Sequence, residues 1–327
     1  MNKILKDYFG SISVSEVTSY GNMSVQPLFV SRDKKKRVNY ITLKQAMDKR
    51  KIRVKEISKE GNVPELSVEN TGDENILLLD GEELRGAKQN RVLNTSILVK
   101  SRSKIIIPVS CTERGRWEYE APEFSDSEAI MESRARRRKA RTVSSNLKNY
   151  NSFRSDQQAV WNDIDDCLNY LNVDSHTSAM RDALMHRKED IDKYLEEFTL
   201  KKNQQGILVF IGGDVAGMDI LSSKDAYRDL HNKLIKSYAL EAIVSEKTNK
   251  RATRNKSKRF RKDILKCSEE IYDSPGLGRD HRYESDDIVG SSLIYNDVVI
   301  HCAFFRVEKS EKTGNISDMK RRRYYRI

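Results

Sequence analysis

Short apolar and alternating runs fill the first third of the chain. Ile12–Val17, Ser24–Val30, Ile52–Ile57 and Leu66–Glu69 are set apart by turn residues such as Gly21-Asn22, Gly61-Asn62 and Gly72-Asp73. Alternation of this kind predicts strands with one buried face. In Ile52–Ile57 it puts Ile52, Val54 and Glu56 on one face and Arg53, Lys55 and Ile57 on the other. Pro27 suggests a sheet edge for its strand, because proline donates no ladder hydrogen bond. Ser31–Arg37 reads as a charged loop. Thr42-Leu43-Lys44-Gln45 has the spacing of a capping box and opens a short helix to about Lys51. Three more apolar runs follow, Ile76–Leu79, Ile97–Val99 and Ile105–Val109, each short and rich in aliphatic or β-branched residues.

After Pro122 the period lengthens. Ser127–Lys148 is helix-prone. Ser155-Asp156-Gln157-Gln158 forms a second capping box, ahead of an apolar stripe of Val160, Ile164, Cys167, Leu168 and Leu171. Ser175 or Ser178 opens a third helix carrying Met180, Leu184, Ile191, Leu195 and Phe198. Ile207–Ile211 and Val215–Leu221 form a hairpin across Gly212-Gly213-Asp214. Ser222 or Ser223 caps a helix to about Ser245, and Asp286–Tyr295 pairs with Val298–Phe305 across Asn296-Asp297. Gly276, Gly278, Arg279, Asp280, His281 and Arg282 read as a flexible polar loop. The pattern predicts an α+β fold: an N-terminal antiparallel β-domain over residues 10–121, then an α+β region over 122–306 made of a helical segment and a hairpin/helix/hairpin. The two regions form one unit. A basic insert at 247–262 and a disordered basic tail at 307–327 complete the expectation.

Charge changes this picture in one respect. The chain of 327 residues has a net charge of +11. Ser133–Arg141, Lys247–Lys262 and Lys320–Arg326 together carry +20, which leaves −9 on everything else. Such runs are solvated faces and tails or, alternatively, nucleic-acid contacts, chiefly through Lys247–Lys262. The absence of a long apolar run and of a signal core argues for a cytoplasmic protein with no membrane partner. Four scattered cysteines with no CxxC pair indicate neither a metal site nor a disulfide framework. No cofactor is named by any motif.

Candidate chemistry is concentrated in two polar turns. The first, Asp80-Gly81-Glu82-Glu83, runs on to Lys88, Gln89, Asn90 and Arg91. The second is Cys111-Thr112-Glu113-Arg114-Gly115-Arg116-Trp117. Glu82 or Glu83 could act as a general acid or base if burial raises its pKa, or could pair internally with Lys88 or Arg91. The fork of Arg91 suits a phosphate or carboxylate, or an internal bridge to Glu82 or Glu83. Gln89 could read a base or ribose edge. Cys111 is a nucleophile if Arg114 or Arg116 stabilises its thiolate, and otherwise packing. Glu113, Arg114 and Arg116 suit ribose or anion contacts, and Trp117 stacks on a base or sits in the core. His301, inside an apolar strand, reads as a satisfied core histidine.

The runs ILLLDGEELRGAKQNRVLN and IPVSCTERGRW resemble a domain family named for its association with ADP-ribosylglycohydrolases and rhodanese-phosphatases. The resemblance extends upstream through YITLKQAMDKRKIRVKEISKEGNVPELSVENT, resumes at GILVFIGGDVAGMDILSSKDAYRDLHNKLIKSYALEAI, and covers roughly residues 10–306. It implies an intracellular protein of NAD- and ADP-ribose-linked metabolism with a nucleotide-type ligand. If the protein is an enzyme, it would be a hydrolase or transferase acting on an ADP-ribose-type nucleotide. The competing expectation is a non-catalytic module that grips nucleic acid or an acidic partner through its basic inserts.

Overall fold

The computed structural model describes residues 1–31, 37–58, 61–248 and 250–307. The centre of the Ser31–Arg37 loop, residue 249 of the basic insert and the tail from 308 onward lie outside the described residues.

A nine-stranded antiparallel sheet forms the middle layer. Its order is Ile12–Val14, Met23–Val30, Gly206–Ile211, Asp214–Leu221, Val298–Arg306, Ile288–Tyr295, Arg279–Glu284 and Ser268–Asp273, with Thr18–Tyr20 also paired to Met23–Val30. Along Gly206–Ile211 successive residues go to opposite faces. Ile207 and Val209 join one core with Leu230, Leu234 and Tyr238 of the helix Lys224–Val244. Leu208 and Phe210 join another with Leu5 and Phe9 of the helix Lys3–Gly10 and with Phe260 and Ile264 of the helix Arg254–Ile264. Both faces are covered, so this strand is apolar throughout instead of alternating.

Two smaller sheets make up the rest of the N-terminal half. One runs Phe124–Ile130, Glu82–Gly86, Arg91–Leu93, Ser103–Cys111, Glu65–Asn70, Ile52–Lys55. The other has Ile97–Val99, Asn75–Leu78 and Tyr40–Thr42, the last pair parallel. The α+β class and the N-terminal antiparallel sheet are as expected. The Thr42 capping box is present in full. Gly212 and Gly213, and then Asn296 and Asp297, all have positive φ, as two-residue hairpin turns that match strand twist require.

Several local expectations are corrected. Glu82 and Glu83 are not in a turn: Asp80-Gly81 makes the bend, and both carboxylates stand on the strand Glu82–Gly86. Residues 127–130 belong to a strand, and the helix begins at Ser133. Asp156, not Ser155, caps the helix Gln157–Tyr170, because Ser155 is hydrogen-bonded to Ser110 instead. The third helix is broken at Arg187 into Met180–His186 and Lys188–Glu197. Arg279–Glu284 is a strand and not a loop; Asp280, His281, Arg282 and Tyr283 are all buried, three of them charged or polar, which hid the strand from a hydrophobic pattern. Met23–Val30 is not an edge strand. Pro27 sits opposite the gap between the two short strands that pair with its residues 28–30 and 23–25, so its missing donor breaks no ladder.

The largest correction concerns Ser133–Arg141. Half of the charge in this run points inward, not into solvent: Arg134, Arg138 and Arg141 stay part exposed, while Arg136, Arg137 and Lys139 are buried. A buried charge is tolerated only with a partner, and here the partners are Asp219, Glu241 and Asp80 respectively.

Candidate functional site

The inward arginines build a closed polar ring. Arg136 donates Nη2 to Asp219 Oδ1 at 2.7 Å and Nη1 to Asp219 Oδ2 at 3.2 Å. Tyr238 donates its hydroxyl to Asp219 Oδ2 at 2.7 Å, and His301 Nε2 lies 3.3 Å from Asp219 Oδ1. The ring continues through His301 Nδ1, 2.8 Å from Ser96 Oγ, which accepts the Asp80 amide at 2.9 Å. It closes at the Asp80 carboxylate, which takes Lys139 and faces Arg136 at 3.7 Å. Burial alone would push the Asp219 carboxyl up, but the Arg136 guanidinium and His301 outweigh it and hold the carboxyl well below the usual range. Arg136 Nε makes no hydrogen bond. It lies 2.9 Å from where a Cβ on Gly81 would stand, so Gly81, at φ 83°, is required both for the bend and for the approach of Arg136. His301 is thus the satisfied core histidine expected, with Ser96 and Asp219 as partners.

A second buried pairing holds Glu82. Its Oε2 accepts the Leu79 amide at 2.8 Å and its Oε1 accepts from Lys233 at 2.8 Å; Lys233 also binds Asp126. Glu82 is thereby a structural partner with no open position.

The remaining candidates meet where the turn at residues 87–90 folds against Cys111–Trp117. Asn90 anchors the seam: its amide donates to Glu113 Oε2 at 3.2 Å, and its carbonyl accepts the Thr112 amide at 3.0 Å. Arg116 uses its whole fork inside the seam, on Glu113 at 2.6 Å, the Ala87 carbonyl at 2.8 Å and the Glu118 carbonyl at 2.9 Å. Glu113 is held below the usual carboxylate range, the burial penalty being outweighed by Arg116. Gln89 Oε1 accepts from Arg91 Nη1 at 2.9 Å and from the Cys111 thiol at 3.2 Å. Burial pushes that thiol up against the opposing pull of Arg91, so Cys111 is a protonated donor here and not a thiolate. On the other face of the strands, where it pairs with Val92, Glu83 accepts from Thr112 at 2.8 Å; its second oxygen makes no hydrogen bond, although Ser127 lies beside the carboxylate, and burial raises its pKa to about 7.

Arg91 stands apart. It is fully buried, yet Nε and Nη2, the side-on edge of its fork, make no hydrogen bond. Across from that edge lies Glu56, 3.7 Å from Nη2, its side chain 3% exposed and neither carboxylate oxygen hydrogen-bonded. The partner of Arg91 is therefore Glu56, not Glu82 or Glu83. Above Arg91, 5.8 Å from its guanidinium, is the ring of Trp117, which is 44% exposed and so is not a core aromatic. Lys88 lies 5.1 Å from the centre of that ring and 5.3 Å from the ring of Tyr119, also exposed. Arg114 is half exposed, pairs with Asp165 at 3.3 Å and lies over Trp161. Glu56 was legible in principle as a carboxylate on the apolar face of Ile52–Ile57; nothing in the sequence tied it to Arg91.

Elsewhere, a polar cleft of about 740 Å³ opens between the helices Ser133–Tyr150 and Gln157–Tyr170 and the last two strands of the large sheet, lined by Arg141, Lys148, Asp166 and Arg282 among others. None of the sequence-predicted site residues lines it. Among the described residues no helix is long and apolar enough to cross a membrane.

The family model of the ARG and Rhodanese-Phosphatase-superfamily-associated Protein domain matches residues 11–305, spanning all three sheets and the Arg91 cluster. No curated relative and no solved structure matches the chain.

Proposed function

The chain belongs to the ARG and Rhodanese-Phosphatase-superfamily-associated Protein domain family, and from that premise we propose that it binds and processes an ADP-ribose-type nucleotide at the Arg91–Trp117 cluster, in a cytoplasmic setting. The observation that carries the reading is the open side-on edge of Arg91 beneath a half-exposed tryptophan. A buried guanidinium with two unused donors is costly unless something accepts from it. The exposed Trp117 ring, 5.8 Å from that guanidinium, suits a flat ring. Gln89 orients the fork of Arg91, Asn90 and Glu113 hold the seam, and Arg116 is already committed to it. The pyrophosphate then falls to the exposed Arg114, with Lys88 beside the two rings. Glu83, with a pKa raised to about 7 by burial, can exchange a proton at neutral pH, but it is paired with Val92 and so stands on the other face of the sheet from Arg91, outside this cluster.

Titration calorimetry of the protein with ADP-ribose and NAD, with chromatography of the mixtures for turnover, tests this. Binding is expected, and its loss in Arg91→Met and weakening in Trp117→Ala with it. No heat and no product at millimolar ligand would end the proposal.

A second reading has one observation in its favour. The helix Arg254–Ile264 buries Ser257, Phe260 and Ile264 and turns Arg254, Lys258, Arg259 and Lys262 outward. That face suits a nucleic-acid backbone or an acidic partner. It predicts binding that weakens steeply with salt and disappears when those four charges are removed.

A further inference from the structure

Resting on the ligand reading above, we infer that the Arg91–Glu56 pair recognises a vicinal diol, the 2′ and 3′ hydroxyls of a ribose, and not a phosphate. The open groups come in two kinds. Arg91 offers two donors, Nε and Nη2, and Glu56 offers two acceptors, both carboxylate oxygens. They face each other at 3.7 Å, too far for a hydrogen bond and close enough for one hydroxyl oxygen to reach both from the side. Any group that docks there must therefore accept and donate at once.

A phosphate fails that requirement. It would satisfy Arg91 but bring a second anion against a carboxylate whose side chain is almost wholly out of water, where like charges repel strongly. A carboxylate ligand fails for the same reason. A hydroxyl carries one donor and two lone pairs. Two hydroxyls on adjacent carbons present two donors to the two oxygens of Glu56 and lone pairs to the two open nitrogens of Arg91. Because the pair is already neutral, an uncharged diol adds no buried charge. Trp117, above the guanidinium, supplies an apolar surface for the C–H face of the sugar. The phosphates then project toward the exposed Arg114.

Calorimetry on the full chain decides the matter, using AMP and ribose 5-phosphate, their 2′-deoxy and 3′-deoxy counterparts, and inorganic pyrophosphate. Removing either hydroxyl is expected to weaken binding at least tenfold. In Glu56→Gln the ribo- and deoxy-ligands should bind alike, with the circular dichroism spectrum unchanged. Should Glu56→Gln not fold, the comparison of ligands on the wild type still gives the answer. ADP-ribose binding to the wild type with equal affinity for ribo- and deoxy-ligands would overturn the diol assignment and leave the nucleotide reading standing. Pyrophosphate binding as tightly as AMP would assign Arg91 to phosphate. Failure of every nucleotide to bind would overturn both.

Discussion

Two buried guanidiniums have opposite surroundings. Arg136 is held by both oxygens of Asp219 in a ring closed by Tyr238, His301, Ser96, Asp80 and Lys139. Arg91 keeps its side-on edge open toward a carboxylate that is equally unused. A closed ring is what a fold needs to bury charge without loss. A half-closed one is less stable than an apolar core would be, and that deficit is what a ligand can remove. The comparison teaches that burial of a charged residue does not by itself separate a structural pair from a candidate site; the two differ in how much of the fork is left unbonded.

The sharpest break of the comparison is to remove one partner from each pair. Asp219→Asn leaves Arg136 buried without its counter-charge and is expected to cost about 3–5 kcal/mol, read by denaturant unfolding. The double change Arg91→Met with Glu56→Met removes an incomplete pair whole and is expected to cost about 1 kcal/mol or less, while abolishing ligand binding. Equal losses in the two variants would erase the distinction.

The next effect is a pH dependence at Glu83. Its folded pKa of about 7 lies above the ordinary glutamate value of 4.5, so the folded state holds its proton more tightly than the unfolded chain does. Stability from this group is full below about pH 4.5 and is lost as pH rises toward and past 7. The loss is on the order of 3 kcal/mol. Glu83→Gln should therefore gain on the wild type as pH rises through this window, in melts run side by side. A constant difference between the two would refute the assignment. Asp219 has the opposite sign: its depressed pKa means that its contribution is lost on acidification.

The smallest effect is expected at the surface. Lys256 pairs with Asp214 at 2.9 Å, but both are solvated. Lys256→Ala should change stability by about 0.5 kcal/mol. A loss several times larger would mean that the insert helix is anchored by charge and not by Phe260 and Ile264.

Much of this molecule could be read from one dimension. The Thr42 capping box, the Gly212-Gly213 and Asn296-Asp297 turns, and the stripe of Leu230, Leu234 and Tyr238 depend on residues a few positions apart. Local φ, ψ and period decide them. The convergence of residues 88–91 with 111–117 could be suspected from their density of polar groups. Ser268–Asp273 and Arg279–Glu284 escaped because the first buries no residue and the second buries mostly polar ones, and pattern reading sees only apolar contrast.

What the chain order by itself determined is the α+β class, most of the turns and the membership of the polar seam. Only the tertiary structure decided which charges are partners. The run Ser133–Arg141 has the composition of a solvated face, and half of its charge turns inward because Asp80, Asp219 and Glu241, far away along the chain, wait there. Glu56 meets Arg91, and Glu82 meets Lys233, across strand and helix packing that no local period encodes. Coulomb attraction depends on distance in space, and distance in space is set by the fold as a whole.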